Sequence, residues 1–200
     1  MRRVVLVIAL LAAARPAAAQ EARLESRMDA QTYQAVRMII DSARKAGLPT
    51  RPIEDKALEG ASSGAPGPTI ISATREFTAQ LGTASAALGK KTRTGELRAA
   101  VGAIDAGVPS RDLIRIRAAA DPKDRSIATA LTVMGDIVVR GVPVATASNL
   151  VISLLRAKVK DPALLEFDRA VRSDLAKGAD PATAAAARAK GTILARGVSK

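Results

Sequence analysis

One turn, written three times, constrains this chain more than any other feature. Gly47-Leu48-Pro49, Gly107-Val108-Pro109 and Gly141-Val142-Pro143 each follow one run of helically spaced apolar residues and precede another. Gly178-Ala179-Asp180-Pro181 is a looser fourth copy. Glycine takes the left-handed conformation that ends a helix, and the apolar residue after it folds back on the last turn. Proline then blocks continuation and pushes the residue before it toward extended geometry. A chain punctuated this way reverses direction after each helix. Thr50 and Ser110 follow two of the turns as candidate N-caps. Asp121-Pro122 and Asp161-Pro162 read as further helix starts, with Asp at the cap and Pro at the first helical position.

Between these signals the spacing predicts helices over about 22–46, 50–59, 69–88, 94–106, 110–120, 123–140, 144–160, 162–177 and 181–196. Met28, Ala35, Val36, Ile39, Ile40 and Ala43 share one face of the first. Leu131, Met134, Ile137 and Val138 precede the third turn, and Leu150, Val151, Leu154 and Leu155 follow it. The four turn glycines are 60, 34 and 37 residues apart, and the last two intervals suit a repeated helix–turn–helix unit. Aligned on the glycine, Ala43, Ala103 and Ile137 stand four residues before it, with Asp174 breaking the pattern. Ile53, Leu113, Ala147 and Ala184 stand six residues after it.

The expectation is an all-α protein, an array of short helices forming stacked hairpins, solenoid-like or closed into a compact bundle. The hairpin over 124–160 is the most apolar and should form its core. Val144–Leu155 is apolar nearly all round, so it should be covered all round. The stretch 59–68 is rich in Gly, Ser and Pro and reads as a loop. It separates an N-terminal helical segment, 20–58, from the hairpin array, 69–200, the two together making one domain.

The first 19 residues read as a signal peptide. Arg2 and Arg3 precede an apolar stretch of 11 residues, Val4–Ala14, and Ala17-Ala18-Ala19 offers a small-residue cleavage site before Gln20. A transmembrane span needs about 20 apolar residues, and Arg15 and Pro16 interrupt this one early. Export, to the periplasm or the medium, is therefore the expected localisation. Cleavage would remove Arg2, Arg3 and Arg15 and leave 28 basic against 19 acidic residues.

Composition then narrows the chemistry. The 200 residues include no Cys, no His and no Trp, and only three aromatics. Disulfides, thiolate nucleophiles, the usual zinc sites and Ser–His pairs are excluded. A base-stacking platform for single-stranded nucleic acid is not expected with so few rings. Ser42-Ala43-Arg44-Lys45 matches Ser-x-x-Lys, but neither Ser-Asp-Asn nor Lys-Thr-Gly accompanies it. Gly89-Lys90-Lys91-Thr92 lacks the first glycine and the magnesium-binding hydroxyl of a phosphate loop. Asp55 and Glu59 share a helix face beside Glu54, with Lys56 interleaved; this reads as ordinary helix-start acidity.

No cofactor, metal or catalytic residue is expected. The structural positions are the turn residues Gly47, Pro49, Gly107, Pro109, Gly141, Pro143, Gly178, Asp180 and Pro181. Lys90, Lys91, Arg93, Arg111 and Arg115 are the candidate basic contacts. Arg outnumbers Lys 21 to 10 and Ala occurs 43 times, a usage suggesting a GC-rich bacterial genome. The functional expectation is a monomeric, exported, non-catalytic interaction or structural protein of a bacterial envelope. The alternative is a binder of anionic envelope components, lipid, lipopolysaccharide or cell-wall polymer, through its basic faces.

Overall fold

The computed structural model describes residues 16–89, 91–121 and 126–198. Ten helices account for most of them, and no strand occurs among the described residues. They are α1 (Pro16–Glu25), α2 (Ala30–Lys45), α3 (Arg51–Ser62), α4 (Gly67–Leu88) and α5 (Thr94–Asp105). There follow α6 (Ser110–Ala119), α7 (Ala128–Val139), α8 (Val144–Arg156), α9 (Asp161–Ala176) and α10 (Pro181–Val198). No described helix is long and apolar enough to cross a membrane.

Six of the helix ends are the same hydrogen-bonded object. At Gly107 the Val108 N–H donates to the Ala103 carbonyl at 2.9 Å, and the Gly107 N–H to Ile104 at 2.8 Å. This pair of nested bonds is the Schellman turn. Gly47, Gly141 and Gly178 repeat it, and the four glycines have φ of +74° to +96° as the sequence predicts. A fifth turn stands at Gly64, φ +72°, with Ala65 bonded to Gly60 and Gly64 to Ala61. The sixth has no glycine. Lys158 holds φ +57°, Val159 bonds to Leu154, and Lys158 bonds to Leu155 at 2.7 Å.

The fifth turn corrects the loop expected over 59–68. Helix α3 runs on to Ser62 and α4 begins at Gly67, so the connection shrinks to four residues. Gly64-Ala65-Pro66 is another Gly-apolar-Pro turn. Other expected boundaries move too. The helix expected over 22–46 breaks before Asp29, whose carboxylate accepts from the Thr32 N–H at 2.9 Å and the Thr32 hydroxyl at 2.6 Å, capping α2. Thr50 is already helical (φ −77°, ψ −32°) and makes no side-chain cap bond. Ser110 is the first residue of α6, with Pro109 in the cap position. Helix α7 starts at Ala128 rather than 123; Pro122 and Lys123 lie outside the described residues. Helix α8 ends at Arg156, because Lys158 turns the chain. Asp161 is the first residue of α9, with Lys160 before it extended in the cap position. Asp180 does cap: it accepts from the Thr183 N–H at 2.9 Å.

The helices pack in two rows. In one, α2, α4, α6, α8 and α10 follow each other, each against the next. In the other, α5 packs on α7 and α7 on α9. The consecutive pairs α5–α6, α7–α8 and α9–α10 are thus stacked, as the sequence leads one to expect, although α5 and α6 scarcely touch each other. The closest approach is α5 on α7. A β-carbon on Gly135 would meet the Ala103 Cα at 3.3 Å, so these two small residues let the backbones touch. Leu131, Met134, Ile137, Val151 and Leu154 are fully buried, which places the core in the α7–α8 hairpin. Helix α8 is not covered all round. Ala145, Asn149, Ser153 and Arg156 form an exposed stripe at helical spacing.

The turns predict their own mutational signature. Gly107→Ala and Gly141→Ala place a β-carbon at positive φ and should each cost about 1–2 kcal/mol. Gly102 lies inside α5, and a β-carbon there meets nothing within 4 Å. Gly102→Ala should be neutral or stabilise by up to about 1 kcal/mol. Lys158→Gly relieves a left-handed lysine and should stabilise by about 1 kcal/mol. Denaturant melts of the four variants check this ordering.

Candidate functional site

Six polar or charged residues are buried among the described residues: Thr32, Thr74, Glu96, Asp112, Ser148 and Asp168. Such groups need partners, and the partners reveal what the groups do. Glu96, in the first turn of α5, accepts from the Arg93 N–H at 3.1 Å and the Ile127 N–H at 3.0 Å. The Arg117 guanidinium from α6 adds bonds at 3.1 and 3.4 Å. One carboxylate therefore ties the start of α5, the end of α6 and the approach to α7. Burial alone would raise its pKa, but the bonds from Arg117, Ile127 and Arg93 outweigh that and hold it below the usual glutamate value. It stays ionised near neutral pH and has no proton to give.

Asp112 on α6 is spent in a similar way. The Ser148 hydroxyl donates to it at 2.9 Å and Arg115 at 3.0 Å. Arg115 also donates to Asn149 of α8 at 2.9 Å. Ser148 is fully buried, so its hydroxyl, held on the Asp112 carboxylate, meets no solvent. Asp168 is paired with Arg172 one turn on, and its Oδ1 is buried without a hydrogen-bond partner. Glu96 and Asp112 thus join helices, while the pairing of Asp168 lies within α9.

The residues singled out in the sequence separate. The turn residues stand in the turns described above. Lys90 lies outside the described residues. Lys91 and Arg93 are exposed at the start of α5, and Arg111 is exposed on α6. Arg115 is committed to Asp112 and Asn149. Asp55 and Glu59 do share a surface: with Glu76 and Asp105 they line a hollow of about 510 Å³ between α3, α4 and α5. Lys56 and Arg98 pair with two of these acids, at 3.2 and 3.6 Å. Among the described residues no group of three or more acidic side chains is arranged to hold a metal ion.

A cleft of about 660 Å³ lies between α9 and α10, far from their Gly178 turn. Phe167 forms its floor, and Ala163, Ala170, Ala187, Gly191 and Ala195 line it. Lys160, Arg188 and Arg196 stand around it with Glu166. The cleft has a sequence origin. With Gly178 set on Gly141, the α8 residues Leu150, Val151, Leu154 and Leu155 correspond to Ala187, Arg188, Gly191 and Thr192 of α10. Large aliphatic residues in one hairpin are small or polar in the next. That signal was readable from the turn alignment carried past its sixth position. Arg188 latches the hairpin through two bonds to Asp174, at 2.6 and 2.7 Å. Arg188's hydrogen bonds hold the Asp174 carboxyl below its usual value.

No family model matches the chain, and neither a curated protein nor a solved structure is significantly similar to it.

The Glu96 clamp predicts a pH signature. Its carboxyl has a lower pKa folded than unfolded, so its stabilisation is complete above the ordinary value near 4.5. It is lost as pH falls through the depressed folded value. Glu96→Gln should cost about 1–2 kcal/mol at neutral pH. The cost stays below that of breaking a fully buried pair because Arg117 is 37% exposed and rehydrates. The variant's stability should fall less steeply than the wild type's below pH 4.5, as read from melts across an acid series.

Proposed function

We propose that this chain is an exported, non-catalytic binding protein of a bacterial envelope, and that its binding site is the α9–α10 cleft. One observation carries the reading. The terminal hairpin keeps the turn of its neighbour but replaces that neighbour's large apolar residues with small ones, leaving a space lined for a guest. A cleft of this volume lies within the range of small-molecule and side-chain pockets.

The chemistry supports binding over catalysis. Glu96 and Asp112 are committed to helix-clamping hydrogen bonds, and Ser148 is sealed beside Asp112. None of the three lines the cleft. The basic apolar leader supports export. Cleavage after Ala19 would leave the Leu24 side chain in the core and Glu21 against Tyr33, whose hydroxyl donates to it at 3.3 Å. The processed end would therefore keep its docking contacts.

Two measurements check this. N-terminal sequencing of protein recovered from the periplasm or medium should begin at Gln20; an intact Met1 there removes the export reading. The mature chain, immobilised and exposed to envelope extract, should retain a component that a cleft-filled Gly191→Leu variant does not. Equal retention by both would remove the cleft as the site.

A further inference from the structure

We infer that the cleft takes a single-chain amphiphile with an anionic head group, such as a fatty acid or an alkyl phosphate. This deepens the reading of the cleft as the binding site and rests on it. Three features select the chemistry.

The first is size. A three-turn helix with its side chains is a cylinder of roughly 10 Å by 16 Å, or about 1,300 Å³. That is twice the cleft, so a partner helix could insert only isolated side chains. A flexible alkyl chain can lie along the whole length. The second is the lining. Alanine and glycine walls, over a Phe167 ring that is almost wholly covered, present apolar surface and few directional groups. The Thr192 hydroxyl is turned back onto the Arg188 carbonyl at 2.9 Å, so its proton is already used.

The third is an unmet polar demand. Arg196 lines the cleft, and its Nη1 is buried without a hydrogen-bond partner. A guanidinium nitrogen enclosed so is costly; turning the Arg196 side chain into the cleft would expose it, and a carboxylate or phosphate there is the acceptor it matches best. Lys160 also lines the cleft, and Arg188 stands there with its charge matched by Asp174, as Glu166 is matched by Arg169. An apolar trough with a cationic side fits an anionic head on an apolar tail.

The test uses the mature protein and the fluorescent polyene fatty acid parinaric acid, kept below its micelle concentration. The wild type should bind it saturably, one per chain. Dodecyl phosphate should displace it, and uncharged dodecanol should be at least ten-fold weaker. Gly191→Leu and Ala187→Leu, each checked for unchanged helicity, should each weaken binding at least ten-fold. Arg196→Gln should weaken the fatty acid and leave dodecanol unchanged.

Unchanged binding in both filling variants, equal binding of dodecanol, or equal displacement by inorganic phosphate would overturn the inference. So would displacement by an acidic amphipathic peptide but not by dodecyl phosphate, which would give the cleft to a protein partner. A wild type that binds no amphiphile yet still captures a Gly191→Leu-sensitive envelope component overturns this inference alone. Loss of both results removes the cleft as a site.

Discussion

The left-handed turn at the helix ends sets everything else in this molecule. Each such turn forms two nested backbone bonds, satisfies carbonyls that a helix end leaves open, and turns the chain out of the helix. Six of ten helices end this way. Because the turn is local and identical in geometry, it also sets register. Residues a given number of positions after two such turns can therefore be compared, as Ala147 and Ala184 are, both buried six residues on. The stacking of α5 on α7 and α7 on α9 follows from that repetition, and so does the comparison of α8 with α10.

Repetition alone would let hairpins slide. Glu96 and Asp112 act against that. Each takes bonds from more than one helix: Glu96 from Arg117 and the Ile127 N–H, Asp112 from Ser148 and Arg115. Buried acceptors of this kind tolerate one arrangement of donors and penalise the rest. Gly135 against Ala103 works in the same direction by shape, since only that register lets two backbones come so close. Glu96 and Asp112 thus help fix the register of the helices they join.

What could be read in advance divides by range. Turns at Gly47, Gly107, Gly141 and Gly178 were legible because four consecutive residues carry the whole signal. Gly64-Ala65-Pro66 carries the same signal, but Gly60, Ser62, Ser63 and Gly67 around it made the stretch look like a loop. Lys158 was illegible: nothing in a lysine announces positive φ, and only the surrounding bonds impose it. The break before α2 lay in Asp29 and Thr32, overridden by apolar spacing that ran past them. Glu96 could be placed at a helix start, but not joined to Arg117, 21 residues away, because that pairing is tertiary. The candidate cations were chosen by local crowding. Crowding along the chain says nothing of which cation a distant carboxylate will claim, as Asp112 claims Arg115.

The cleft is where register and composition disagree. Positions that hold Leu150 and Leu154 in α8 hold Ala187 and Gly191 in α10, and space opens between α9 and α10. If that space is a true deficit of apolar volume, refilling it must stabilise the protein. The direct measurement is the denaturant stability of Gly191→Ala beside Gly191→Leu. Alanine should gain about 1 kcal/mol from helix propensity alone. Leucine should gain a further ~1 kcal/mol by covering the part-exposed alanines of the cleft wall, Ala163 and Ala170 among them, since a β-carbon at 191 meets nothing within 4 Å. Leucine no better than alanine, or worse, would mean the cleft is not empty apolar space, and the account of the terminal hairpin as a binding site would fail.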